Sequence, residues 1–163
     1  MDIQFRDIQS RNDALALITF LEKQRLGYQN YDSWLEKTLV ELDAGIKSAV
    51  TAHYNGRLVG DLVYQPHKQL KNVLELKNLR THPDVRDRRF AGFMLRQVET
   101  EQNQHHTIIC DVRSSEEKMI SFLQHNGYQQ VLKLNLYDQN NTDIVFAKFL
   151  REPSEEIKRF FIN

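Results

Sequence analysis

Five arginines, Arg80, Arg86, Arg88, Arg89 and Arg96, meet only two aspartates between positions 80 and 96. They surround a change of backbone pattern: Leu74 to Gly92 reads LELKNLRTHPDVRDRRFAG. Leu74, Leu76 and Leu79 stand among polar residues, as in a strand. His82-Pro83 ends that strand, because proline restricts the residue before it and cannot donate to a ladder. Arg86 to Ala91 then opens an amphipathic helix whose Phe90, Met94 and Val98 recur at i, i+4 and i+8. A strand turning sharply into a helix start, with arginines at the turn, suits a phosphate. The first helical turn leaves backbone N–H groups unpaired, and its dipole favours an anion there.

The rest of the composition narrows what that turn serves. The 163 residues suit one domain over 1–150, followed by a helical extension over 151–163. Apolar residues make up 40% and charged residues 27%, the balance of an ordinary globule. Basic and acidic residues number 22 each, which argues against a general nucleic-acid binder. The local arginine surplus fits one small polyanionic ligand better than a duplex. The single cysteine, Cys110, excludes an internal disulfide framework and reads as a small core residue within Ile108-Ile109-Cys110. The six histidines form no metal-ligating pattern, so no metal is expected. No apolar run approaches the roughly 18 residues of a membrane span, and MDIQFRDIQS lacks a signal peptide's features. The expected location is the cytoplasm.

Elements must position the turn, and most announce themselves. Residues 3–8 alternate as a first strand. Ser10 is a candidate N-cap for a helix to about Arg25, and Asp32 or Ser33 for a second helix ending near Gly45. Two strand-like runs around Asn55-Gly56 form a hairpin. After the arginine-rich turn and its helix, 107–112 is a buried strand. Ser114 and Glu117 fit a capping box for the next helix, which ends at Asn126-Gly127. Strands over 131–137 and 144–150 and a terminal helix from Ser154 complete the order β–α–α–β–β–β–α–β–α–β–β–α. Such an order gives an α/β (α+β) fold, a mixed sheet covered by helices.

The turn resembles motif A of the GNAT acetyltransferase superfamily, Arg/Gln-x-x-Gly-x-Gly/Ala after a hydrophobic strand. Arg86 fills its first position and Ala91 its last; Arg89 stands at the usual glycine and Asp87 where many members have another. The element order is similar to the whole family fold over about residues 2–150. That resemblance implies a mixed, mostly antiparallel sheet splayed between strands 4 and 5. It implies acetyl-CoA as co-substrate, held by Leu79, Arg80 and Thr81 and by Arg86, Asp87, Arg88, Arg89, Phe90, Ala91 and Gly92. The run from Ile109 to Tyr128 further resembles the ribosomal-protein alanine acetyltransferases. There an acidic residue two before an arginine is the general base, which places Asp111 in that role. The usual asparagine falls on Glu116, and the usual acid tyrosine on Leu123, which cannot donate a proton.

The implied activity is N-acetyl transfer to an amine by direct attack on the thioester. Other branches of the family keep a catalytic glutamate on the fourth strand, so Glu75 competes with Asp111, and positioning without a dedicated base is the third option. The family's first helices wall the acceptor pocket, which brings in Tyr28, Tyr31 and Trp34; Tyr137, on the sixth strand, is a candidate replacement for the missing acid. The acceptor, a small-molecule amine or a protein amine, is not readable. A homodimer through the last strands is an open alternative. Leu123 and Arg89 motivate a rival reading, a catalytically impaired GNAT fold serving as an acyl-CoA sensor or partner-binding module. A third is an unrelated mixed α/β protein whose basic turn holds another phosphate ligand.

Overall fold

The computed structural model describes residues 1–161. The strands are β1 (Ile3–Asp7), β2 (Ser48–Tyr54), β3 (Arg57–Pro66), β4 (Val73–Thr81), β5 (Thr107–Arg113), β6 (Gln129–Leu134) and β7 (Asp143–Phe149). The helices are α1 (Arg11–Lys23), α2 (Tyr31–Asp43), α3 (Phe90–Glu101), α4 (Glu117–His125) and α5 (Glu155–Phe161). The strands make one sheet in the order β1-β2-β3-β4-β5-β7-β6. It is mostly antiparallel, with one parallel pair, β4 with β5. The chain divides into two compact units, Met1–Gln65 with Lys77–Thr100, and Pro66–Leu76 with the residues from Glu101 onward.

In the first unit, Ser10 caps α1 as expected, with the reciprocal bond supplied by Asp13. Ala14, Leu17, Ile18 and Leu21 then lie on one face and bury against Leu35 and Leu42 of α2 and against Ala49 and Val63 of the sheet. The start of α2 departs from expectation. Its N-cap is Asn30, in the left-handed conformation at φ 61°, and the helix is already under way at Asp32 and Ser33. Asparagine reaches that conformation more easily than most residues. A buried ion pair, Lys47 to Glu41 at 2.7 Å, ties the end of α2 to the approach of β2.

β3 is the central strand of this unit, buried continuously from Val59 to Gln65. Gly60 allows the neighbouring layers to close on it. A Cβ there would stand 3.0 Å from the Arg80 carbonyl oxygen and 3.1 Å from Met94 Cε of α3. Side chains alternate along a strand, so Val59, Asp61 and Val63 share the opposite face, the one that α1 and α2 cover.

In the second unit, Val73 to Leu76 pair in parallel with Thr107 to Cys110, and β5 runs antiparallel to β7 along its whole length. Ile157 of α5 is 2% exposed and packs with Leu70, Val73, Ile109 and Ala147, so the terminal helix is anchored to the core. Two sequence expectations give way here. The Ser114–Glu117 capping box does not form; Glu116 is the N-cap of α4 and makes no side-chain cap bond. β6 stops at Leu134, which leaves Tyr137 in the segment after the strand rather than on it. Gly127, at φ 85°, ends α4 as the sequence suggests, and the Tyr128 N–H returns to the Leu123 carbonyl.

Candidate active site

The arginine-rich turn is built from backbone geometry. The His82 N–H donates to the Val59 carbonyl, fixing the end of β4 against β3. Pro83–Val85 forms a single 3-10 turn, with His82 Nδ1 accepting the Asp84 N–H and Val85 buried beneath. Asp87 and Arg89 then take φ of 68° and 62°. Both residues thus take the left-handed backbone that glycine favours, although neither is glycine. The helix begins at Phe90, four residues later than Arg86, so Arg86 to Arg89 form the loop rather than the first turn.

α3 is seated by its apolar face. Phe90, Met94 and Val98 are all buried, and Phe90 meets Phe5 edge-on at 6.1 Å. The Phe93 N–H donates to the Arg89 carbonyl, the first bond of the helical ladder. The amides of Phe90, Ala91 and Gly92 precede that bond and have no acceptor one turn earlier in the helix. Arg86 and Arg89 are exposed beside them, and Arg88 lies over the Tyr54 ring at 4.9 Å. This is a helix N-terminus framed by cations, the arrangement that receives phosphate oxygens.

At the end of β4, Leu79, Arg80 and Thr81 are half-buried. The Arg80 guanidinium faces the first two helices: Nη1 donates to the Tyr31 hydroxyl at 3.0 Å and to the Gln24 carbonyl, and the group lies over the Tyr31 ring. Tyr31 is buried and donates its own hydroxyl to the Leu21 carbonyl. Trp34 is half-buried, tilted against Tyr31 at 5.6 Å, while Tyr28 is exposed between the helices. The three aromatic candidates therefore divide, with Tyr31 bracing the α1–α2 connection and Tyr28 facing outward.

The second unit brings together two residues 26 positions apart. The Tyr137 hydroxyl donates to Asp111 Oδ2 at 2.9 Å. Tyr137 is held there by its neighbours: the Leu136 N–H donates to Asp143 Oδ2, and Asp138 Oδ1 accepts the N–H groups of Asn140 and Asn141. Burial of the phenol, then the charges of Asp111 and Glu75, push the Tyr137 hydroxyl well above its ordinary pKa. It therefore stays protonated and serves Asp111 as a donor. Glu75, half-buried on β4, acts on the same hydroxyl. Leu123, at the usual tyrosine's position, is fully buried core.

One carboxylate escaped the sequence reading. Asp61 lies inside the apolar run LVGDLVY of β3 and is completely buried. Asn78 Nδ2 donates to its Oδ2 at 2.6 Å, and its pKa is pushed up to about 7 by burial, against the lowering effects of Asn78 and Arg80. A lone charge at an inward position of an apolar strand was the available signal. Among the described residues no cluster of histidine, cysteine and carboxylates could hold a metal, and no helix is long and apolar enough to cross a membrane.

The profile of the acetyltransferase (GNAT) family matches residues 13–128, more than half of the chain. The chain belongs to that family. No curated protein matches it in sequence. Among solved structures, a GNAT-family protein from Desulfovibrio desulfuricans superposes with a TM-score of 0.80 at 15% identity, covering 92% of this chain and 100% of that one. The ribosomal-protein-alanine N-acetyltransferase of Escherichia coli gives 0.76 at 16% identity, covering 94% and 97%. Mutant forms of the spermidine/spermine N-acetyltransferase of Vibrio cholerae give 0.68 at 11%, covering 91% and 95%. These likenesses establish the GNAT fold across nearly the whole chain. The arginine turn itself lies between β4 and α3.

Proposed function

We propose that this GNAT protein transfers the acetyl group of acetyl-CoA to a primary amine by direct attack. The observation that carries this is the α3 turn, where Asp87 and Arg89 reproduce a glycine-like backbone before a helix N-terminus. The amides of Phe90, Ala91 and Gly92, with the Arg86 and Arg89 side chains, hold the pyrophosphate. The half-buried end of β4 around Leu79 and Thr81 pairs with the pantetheine arm, while the Arg80 side chain is already engaged with Gln24 and Tyr31. The bound thioester supplies an activated acetyl group; the protein supplies its placement, worth as much as about 10⁵ M in effective molarity.

Asp111 and Tyr137 manage protons in this reading. Asp111 accepts a proton from the attacking nitrogen. Tyr137 gives its own to the departing thiolate, and Asp111 restores it through the 2.9 Å hydrogen bond. The phenol thus replaces the acid that Leu123 cannot supply. Cationic amines suit a site with two carboxylates, Asp111 and Glu75, and both small polyamines and protein amines are acetylated by proteins of similar fold.

Ala91→Val tests the placement. A β-branched side chain at the second helical residue crowds the approach to the amides, so acetyl-CoA affinity by calorimetry falls at least tenfold while the circular dichroism spectrum stays native. Unchanged affinity in folded A91V contradicts it. Tight acetyl-CoA binding without turnover of any amine favours the sensor reading instead.

A further inference from the structure

Three nitrogen-bearing side chains from distant parts of the chain converge on one small cavity of the first unit. Lys23 comes from the last turn of α1, Arg57 opens β3, and His82 directly follows β4. The cavity has a volume of about 280 Å³, and Phe20 and Leu58 form its apolar wall. No carboxylate lines it among the described residues. Two full positive charges and an imidazole therefore share a concave space with an apolar floor.

His82 shows what kind of ligand that space lacks. Its side chain is 16% exposed, and Nδ1 accepts the Asp84 N–H at 3.2 Å. A neutral imidazole has one N–H and one lone pair. With the lone pair given to Asp84, the ring proton sits on Nε2; a charged ring would carry a proton there as well. Yet Nε2 stands 3.1 Å from Arg57 Nη2, which is also a donor. Two N–H groups thus converge without an acceptor between them. The Asp84 carboxylate does not take that place: it is 71% exposed, 3.5 Å from Nδ1 and 4.0 Å from Arg57 Nη1.

We propose that this cavity binds inorganic phosphate or a small phosphomonoester, at a site separate from the pyrophosphate position on α3. The oxygens accept from His82 Nε2–H, from the Arg57 guanidinium and from the Lys23 ammonium. The ester's organic group lies against Phe20 and Leu58. Donors arriving from three directions suit a tetrahedral oxyanion better than a planar carboxylate, and arginine and lysine are the usual cations for phosphate. The volume is at the small end for ligand pockets, which fits a compact ester. The C-terminal carbonyls of α1 oppose an anion nearby, but that of Gln24 already accepts from Arg80.

Occupancy also bears on the arginine turn. The His82 N–H donates to the Val59 carbonyl, and Nδ1 caps the Pro83–Val85 turn. An oxyanion at Nε2–H keeps the ring proton away from Nδ1, which holds the tautomer that caps this turn.

Calorimetry with methyl phosphate, at constant ionic strength and about pH 8 where the ester is a dianion, tests the site. Wild-type protein should bind one equivalent with a Kd on the order of 1 mM or tighter. Lys23→Met and Arg57→Gln should each weaken binding about tenfold, the loss of one charge-assisted hydrogen bond. Both side chains are exposed, so the circular dichroism spectrum should stay native. Absence of binding to the wild type, or equal binding to the K23M/R57Q double variant, overturns the proposal. The source of the phosphate is decided by repeating the titration on protein saturated with CoA or dephospho-CoA. Methyl phosphate should still bind in both cases. Loss under CoA alone assigns the cavity to the 3′-phosphate of CoA, and loss under both assigns the phosphate to the α3 turn; either result overturns a separate site. ¹⁵N NMR of the wild type gives a check without variants. Methyl phosphate should shift His82 Nε2 and the Asp84 amide, whereas shifts confined to the amides of Phe90, Ala91 and Gly92 contradict the placement.

Discussion

Asp111 gains a hydrogen-bond partner from far along the chain. Its place in CDVRSS is visible in the sequence, but its hydrogen bond to Tyr137 depends on the turn that Asp138 and Asp143 shape. Asp111→Asn keeps the size and loses the proton acceptor. Turnover at neutral pH should fall about 10²-fold with acetyl-CoA affinity unchanged, and the loss should shrink at high pH, where more amine is already neutral. Full activity in D111N beside a crippled E75Q would move the role to Glu75. Asp61 was missed because its complete burial and its hydrogen bond from Asn78 appear only in the packed fold. Arg89 carries a lesson of the same kind. Read from sequence it interrupts a motif; in the fold it takes a left-handed backbone at φ 62°, outside the helix. Arg89→Gly should therefore stabilise the protein by about 1 kcal/mol in urea unfolding by removing a left-handed strain, with acetyl-CoA affinity within a few-fold. A destabilised R89G would show that the arginine side chain holds the turn.

Elements were legible where local chemistry decides them. Ser10 with Asp13 is a self-contained cap, and Asn55-Gly56 turns a hairpin whatever lies around it. Prediction failed where tertiary contacts outbid a local signal. Ser114 resembles a cap residue, yet its N–H is bonded to the Thr142 carbonyl and α4 starts three residues on. Leu136 continues the alternation of β6, yet its N–H goes to Asp143 and the strand has already ended. α2 is similar: Asp32 and Ser33 are fair caps, but Asn30 turns the chain first. The far end of α2 depends on Lys47, only 5% exposed, paired with Glu41 and lying over Trp34 at 5.9 Å. Lys47→Met leaves that buried carboxylate without its nearest cation and should cost about 3 kcal/mol in denaturant unfolding. A loss below about 1 kcal/mol would mean that the pair behaves as a surface ion pair.

At the scale of the molecule, the succession of strands and helices was readable because the two periodicities seldom overlap in this chain, and because Gly127 and Pro83 punctuate it at points the fold uses. The strand order β5-β7-β6 was not readable, since it depends on β7 entering between two strands that precede it in sequence. Family membership and fold do not choose the acceptor. The central claim is that acetyl-CoA is consumed to acetylate an amine. Wild-type protein incubated with acetyl-CoA and a panel of polyamines, amino-acid amides and short peptides, followed by mass spectrometry, tests it most directly. The account predicts at least one amine gaining a single acetyl group, with free CoA released in equal amount and both falling together in D111N. Acetyl-CoA remaining intact across the whole panel, with the protein folded and the thioester bound, would contradict it.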